Sequence, residues 1–239
     1  MITKESNKEL AIVLCGHGSR NLNYLSEVVR IREALSKKLG LDIFECYIEI
    51  NKPPIEECLD KVREIYKKVL IFPLLLFEGR HMLKDVNEKI LSLIKNTNKE
   101  VVLINKLSLL NDIFPIILNI INNKYSEKFD ILVTSCSFSK NRKVKKELEV
   151  YSHRLSFSLK ISKTIFHFVG EEKSVFKELK KLGNNSAKIL LHPVFFFNGY
   201  LYKKNIDTFS QFFTTENLSP LAHYDDIIES IFQKLIVKI

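Results

Sequence analysis

The chain has 239 residues, with 37 Lys and Arg against 28 Asp and Glu, for a formal charge of +9. At 46% hydrophobic and 27% charged, with 7 Gly and 6 Pro, it is globular in composition and neither collagenous, low-complexity nor disordered. The four cysteines, Cys15, Cys46, Cys58 and Cys136, form no CxxC pair and are too scattered for a disulfide scaffold, which points to a reducing compartment. The opening MITKESNKEL has no apolar stretch of the signal-peptide kind, and no run of about 18 apolar residues offers a membrane span. A soluble, cytoplasmic protein is the expectation.

Taken in chain order, Leu10–Leu14 reads as an apolar strand that runs into Gly16-His17-Gly18-Ser19, and helical spacing follows from Leu22. A second strand over Asp42–Ile50 reaches Pro53-Pro54, after which Ile55, Leu59, Val62 and Ile65 mark a helix face. The third strand, Val69–Phe77, leads through Glu78-Gly79-Arg80-His81 into a helix over Lys84–Lys95. A strand at Val101–Leu107 and a helix through Ile113–Ile121 come next. All-apolar strands alternating with helices predict a parallel sheet covered on both faces.

The order then begins again. Phe129–Thr134 is a strand ending in Ser135-Cys136-Ser137, followed by a basic helix from Lys143 to Arg154. The remainder supplies strands at Ile161–Val169 and Ala187–Phe197, with helices near Val175–Leu182, Ile206–Phe213 and Asp225–Leu235. IFPLLLFEG (71–79) set on LHPVFFFNG (191–199) aligns Pro with Pro and Gly with Gly. The sequence therefore predicts an α/β fold of two tandem, homologous, doubly wound parallel-sheet halves of flavodoxin-like type, residues 1–124 and 125–239.

In open parallel sheets ligands bind beyond the carboxyl ends of the strands. His17 follows the first strand, Glu49 ends the second and His81 follows the third, so two imidazoles and a carboxylate are expected around one divalent ion. That donor set suits Fe, Co, Ni or Zn. Aligning the halves gives Cys136, Val169 and Leu201 at the same three places, while Pro193, Phe197 and Gly199 match Pro73, Phe77 and Gly79. One complete site, in the first half, is the reading. His192 is expected to be a core or edge histidine; His153, His167 and His223 have no ligand partner at a recognisable spacing.

The strings LCGHGSR (14–20), YIEINKP (47–53) and FPLLLFEGRHMLKDV (72–86) resemble the class II chelatases of the CbiX and SirB type. The resemblance implies an enzyme that inserts Co²⁺ or Fe²⁺ into sirohydrochlorin on the routes to cobalamin or sirohaem, with the tetrapyrrole in a cleft between the two halves. It also implies that His17, Glu49 and His81 serve as both metal ligands and catalytic groups. Two departures stand out: Lys52 replaces the family's acidic residue before its first proline, and neither a His-rich tail nor a CxxC iron–sulfur motif is present. The residues leave cobalt and iron equally open.

Insertion exchanges two pyrrole N–H protons for a metal ion, and a neutral imidazole both accepts a proton near neutral pH and releases borderline metals. A polycarboxylate substrate calls for a basic, hydrogen-bonding rim. Ser19, Arg20, Arg80 and Lys84 flank the expected ligands, and Lys140, Arg142, Lys203 and Lys204 occupy the matching loops of the second half. No permanently bound redox cofactor or nucleotide is required. Basic charge without an RNP, zinc-finger or helix-turn-helix pattern argues against a nucleic-acid partner, and two complementary halves in one chain permit a monomer. The competing expectation is a non-catalytic tetrapyrrole or metal carrier, which would need the basic residues without the central base.

Overall fold

The computed structural model describes residues 8–77, 100–181 and 187–239. The expected helix over Lys84–Lys95 and the residues Arg80, His81 and Lys84 lie outside them. By compactness the chain forms two units, Met1–Lys106 with Ile228–Ile239, and Leu107–Ile227.

The first unit is built on β1 (Lys8–Gly16), β2 (Asp42–Tyr47), β3 (Tyr66–Pro73) and β4 (Glu100–Leu103), all parallel in the order β2-β1-β3-β4. Helix α1 (Leu22–Leu39) starts at Asn21, whose side chain accepts from the Asn23 amide, and stops at Gly40, where φ is 65°. Helix α2 (Ile55–Ile65) lays Ile55, Cys58, Leu59 and Val62 on one sheet face, against Ala11, Val13, Cys15, Cys46, Val69 and Ile71. The alternate residues Ile12, Leu14, Leu70 and Phe72 are fully buried too, so the sheet is covered on both sides as its apolar strands require.

The second unit repeats the plan. Its strands β5 (Ile131–Cys136), β6 (Lys163–Phe168), β7 (Ile189–Pro193) and β8 (Thr215–Asn217) are parallel in the order β6-β5-β7-β8. Its helices are α3 (Phe114–Lys124), entered through a π turn at Leu109–Ile113, α4 (Arg142–Leu159), α5 (Glu172–Lys181) and α6 (Tyr200–Ser210). Strand β8 escapes a sequence reading because Thr-Glu-Asn is short and polar, and α6 begins earlier than its apolar residues suggest, directly after Gly199.

The compact units divide the chain at other points than the repeat does. Helix α3, which closes the first repeat, groups with the second unit, where the Arg154 guanidinium lies 4.4 Å from the centre of the Phe114 ring. The last helix, α7 (Asp225–Ile236), groups from Ile228 onward with the first unit: Glu229 pairs with Lys38, whose ammonium also sits 5.4 Å from the Phe232 ring centre. Hydropathy marks both helices but is silent on which sheet each covers. Among the described residues no helix is long and apolar enough to cross a membrane.

One polar contact in the second core is costly. His192 in β7 is fully buried and its Nε2 lies 2.8 Å from the Tyr151 hydroxyl, while Nδ1 has no partner among the described residues. Burial pulls its pKa from the ordinary 6.5 down to about 3. His167 is buried and shifted in the same direction. A folded pKa below the unfolded value means the unfolded chain binds more protons between about pH 3 and 6.5, so stability falls as pH falls through that window. The double variant Tyr151→Phe/His192→Phe, which gives β7 the Phe that β3 carries at Phe72, should flatten this acid loss in urea melts recorded from pH 7 to pH 4. An unchanged slope would reject the buried neutral histidine as its source.

Candidate metal centre

The loop after β1 is wired to its neighbours through the backbone. Ile48 N donates to Gly16 O at 3.0 Å, Glu49 N to His17 O at 2.9 Å, and Leu74 N to Cys15 O at 2.8 Å. The β1–β2 ladder thus runs two residues past the strand ends and stops at His17 and Glu49. Both candidate ligands sit at the carboxyl edge of the sheet, on adjacent strand ends, as their sequence positions predict.

Two glycines make that approach possible. A Cβ on Gly18, whose φ is 101°, would stand 1.9 Å from the Glu49 carbonyl oxygen. One on Gly16 would stand 2.1 Å from the Tyr24 hydroxyl, which accepts from the Gly18 amide at 3.0 Å. Asn51 closes the loop from the other side, its Oδ1 accepting from Ser19 N at 2.6 Å. The Glu49 carbonyl also accepts from Asn51 N at 2.7 Å, across a tight turn centred on Ile50 with φ of 66°. A β-branched residue at positive φ is a strained choice, of the kind that clusters where a loop must hold one geometry. Neither Tyr24 nor Asn51 is legible as a site residue in the sequence. Each acts by accepting from a backbone amide of the first loop, a contact that leaves no pattern in the sequence.

The His17 ring is partly buried, and its Nδ1 is shielded from solvent with no hydrogen-bond partner among the described residues. A nitrogen in that condition has donor or acceptor capacity that no described residue uses. Glu49 is exposed. Tyr24 and Tyr47 flank them, with ring centres 6.1 Å apart, and burial raises both phenols, Tyr47 to about 12, so they stay protonated hydrogen-bonding groups at neutral pH. Among the described residues no three His, Cys, Asp or Glu side chains come together as a metal cluster. The expected third ligand, His81, lies outside those residues, as do Arg80 and Lys84. Arg20 is exposed beside His17; Lys140 and Lys203 are exposed at the carboxyl ends of β5 and β7 in the second unit.

The register corrects the alignment of the two halves. Ala11 pairs with Val69 as Ile131 pairs with Ile189, and Ala11 pairs with Asp42 as Ile131 pairs with Lys163. Val169 N donates to Cys136 O at 2.9 Å, the counterpart of Ile48 N on Gly16 O. Cys136 therefore matches Gly16, Ser137 matches His17, and Gly170 rather than Val169 matches Glu49. No inserted residue is needed, since Ser139 Oγ accepts from Asn141 N at 3.1 Å just as Ser19 Oγ accepts from Asn21 N at 3.1 Å. Cys136 itself is fully buried and burial raises its thiol pKa, which makes it a core residue. The second unit has the frame without the imidazole or the carboxylate.

Residues 11–124 match the CbiX family model. This segment, a little under half of the chain, is therefore CbiX-like. The chain is 41% identical over 88 residues to a sirohydrochlorin cobaltochelatase of Methanococcus aeolicus, a match that covers 36% of this chain and 60% of that relative's length. SirB from Bacillus subtilis with Fe³⁺ superposes with a TM-score of 0.78 at 17% identity, covering 95% of this chain and 94% of SirB. A cobalt complex of SirB from Bacillus subtilis subspecies spizizenii gives 0.73 at 15%, with the same coverage of both chains. At those identities the superpositions show the fold, including the second parallel sheet, which lies beyond the CbiX match.

The glycine argument is directly testable. Gly18→Ala should destabilise the protein by about 1–3 kcal/mol, because the added methyl must displace the Glu49 carbonyl. Urea denaturation reads that change, and wild-type stability in the variant would show that the loops separate freely.

Proposed function

We propose that this protein is a sirohydrochlorin chelatase, an enzyme that inserts Co²⁺ or Fe²⁺ into the macrocycle. The observation that carries the reading is the backbone tie between His17 and Glu49, which sets an imidazole-bearing and a carboxylate-bearing residue on adjacent strand ends at the edge of the sheet. The CbiX match over residues 11–124 and the names of the relatives support it. His81, from the segment after β3, is proposed as the third ligand and as a second proton acceptor.

In this mechanism the divalent ion is a substrate. His17 holds it through a ring nitrogen, and borderline imidazole ligation keeps it exchangeable. As the two pyrrole N–H bonds break, an imidazole takes up a proton and Glu49, open to water, passes it to solvent or balances the imidazolium charge. Ser19, Arg20, Arg80, Lys84, Lys140 and Lys203 are proposed to engage the substrate's carboxylates, with Arg suited to bidentate contacts. Substrate pairing of this kind weakens with salt. No resident cofactor takes part, the setting is the cytoplasm, and one chain suffices, without nucleic acid.

His17→Ala and His81→Ala should each abolish metal insertion while leaving the urea midpoint near that of the wild type. The assay is the absorbance change of anaerobic sirohydrochlorin mixed with Co²⁺ or with Fe²⁺, with and without protein. Full turnover in both variants would remove the assignment of these residues. Tight binding of sirohydrochlorin by the wild type without accelerated insertion would replace the enzyme with a carrier.

A further inference from the structure

Three of the four cysteines converge under the Glu49 loop. Cys15 and Cys46 are register partners on the adjacent strands β1 and β2 and face the same side of the sheet. Cys58, from the first turns of α2, packs onto them in one buried cluster. All three are unbridged, and metal insertion uses none of them.

Cys58 differs from the other two in access. It lines an open groove of about 270 Å³ beside the edge strand β2, together with Arg32, Phe44, Glu45, Lys61 and Val62. Cys15 and Cys46 have no exposed surface. The neighbouring Cys46 thiol favours the Cys58 thiolate, the nucleophilic form, while Cys46 is held as the thiol. In the second unit the register positions of Cys15 and Cys46 are Ser135 and His167, so the thiol pair belongs to the first unit alone.

We propose that Cys46 and Cys58 form a redox modification site, in which a hydroperoxide oxidises Cys58 from the groove and Cys46 resolves the product to an intramolecular disulfide. The Cys58 thiolate attacks a peroxide oxygen, the O–O bond breaks, and Cys58 becomes a sulfenic acid as hydroxide or alkoxide leaves with a proton. Cys46 sulfur then attacks Cys58 sulfur; the S–S bond forms, the S–O bond breaks, and water carries off the Cys46 proton. Two thiols lose two electrons and the peroxide gains them. Residues 46–58 become a closed loop that contains Glu49. The oxidation therefore restrains the candidate metal loop from beneath, and low-molecular-weight thiols reverse it. The linkage itself does not depend on the chelatase reading.

The test takes the full-length protein, reduced and desalted, with a small molar excess of hydrogen peroxide, followed by alkylation and peptide mapping. The expected result is a Cys46–Cys58 linkage, with Cys15 and Cys136 alkylated and the linkage lost on dithiothreitol treatment. Cys46→Ser should leave a Cys58 sulfenic acid that dimedone traps, and Cys136→Ser should leave the linkage unchanged. A Cys15–Cys46 linkage, direct passage of Cys58 to the sulfinic acid in the wild type, or four alkylatable thiols after treatment would each overturn the proposal. Wild-type mapping decides even if the serine variant fails to fold.

Discussion

Two backbone hydrogen bonds that outlast the strands organise the candidate site: Ile48 N on Gly16 O and Glu49 N on His17 O. Most parallel strands diverge into separate loops once their ladder ends. Here the ladder continues into the loops, so the sheet's own register sets the separation of an imidazole-bearing and a carboxylate-bearing residue. The geometry needs backbone approach that no side chain at position 18 allows, and this explains why a glycine in the left-handed region sits there. The helix that follows is held to the same frame, since Tyr24 in its first turn reaches back to the Gly18 amide.

Much of this was legible in the residues. The apolar strands with helical spacing between them identify the parallel sheets, and the Pro and Gly spacing shared by residues 71–79 and 191–199 identifies the repeat, because those positions shape the chain rather than decorate it. What sequence alone missed follows from partners it does not display. In sequence Cys136 falls opposite His17, whereas a single ladder bond, Val169 N to Cys136 O, moves the match to Ser137. Asn51 was hidden because its role is to accept from a backbone amide in another loop, a contact without a pattern. Strand β8 was hidden because three polar edge residues carry no hydropathy signal.

The two units show how one frame tolerates different interiors. At equivalent places under the strand ends, the first unit packs Cys15 and Cys46, and the second packs Ser135 and His167, with Ser135 donating to Asn205 at 2.9 Å. Small thiols fill the first core at little desolvation cost, whereas the second core keeps polar groups that need partners. The second unit has kept the loop's capping hydrogen bonds, Ser139 with Asn141 and Asn141 with Lys143, without the imidazole and carboxylate at its strand ends. Loop architecture and chemistry are thus separable in this fold.

The allocation of the closing helices has a bearing on how the protein is made. Residues 228–239 complete the first unit, yet they leave the ribosome only after every residue of the second unit. During synthesis the first sheet is therefore exposed, without its final cover, for the whole time the second unit is being added, while the second unit already has all of its own residues. Vectorial synthesis usually lets an N-terminal domain fold first. Here the chain reverses that order of completion, and the half that carries the candidate metal centre is the last to be finished.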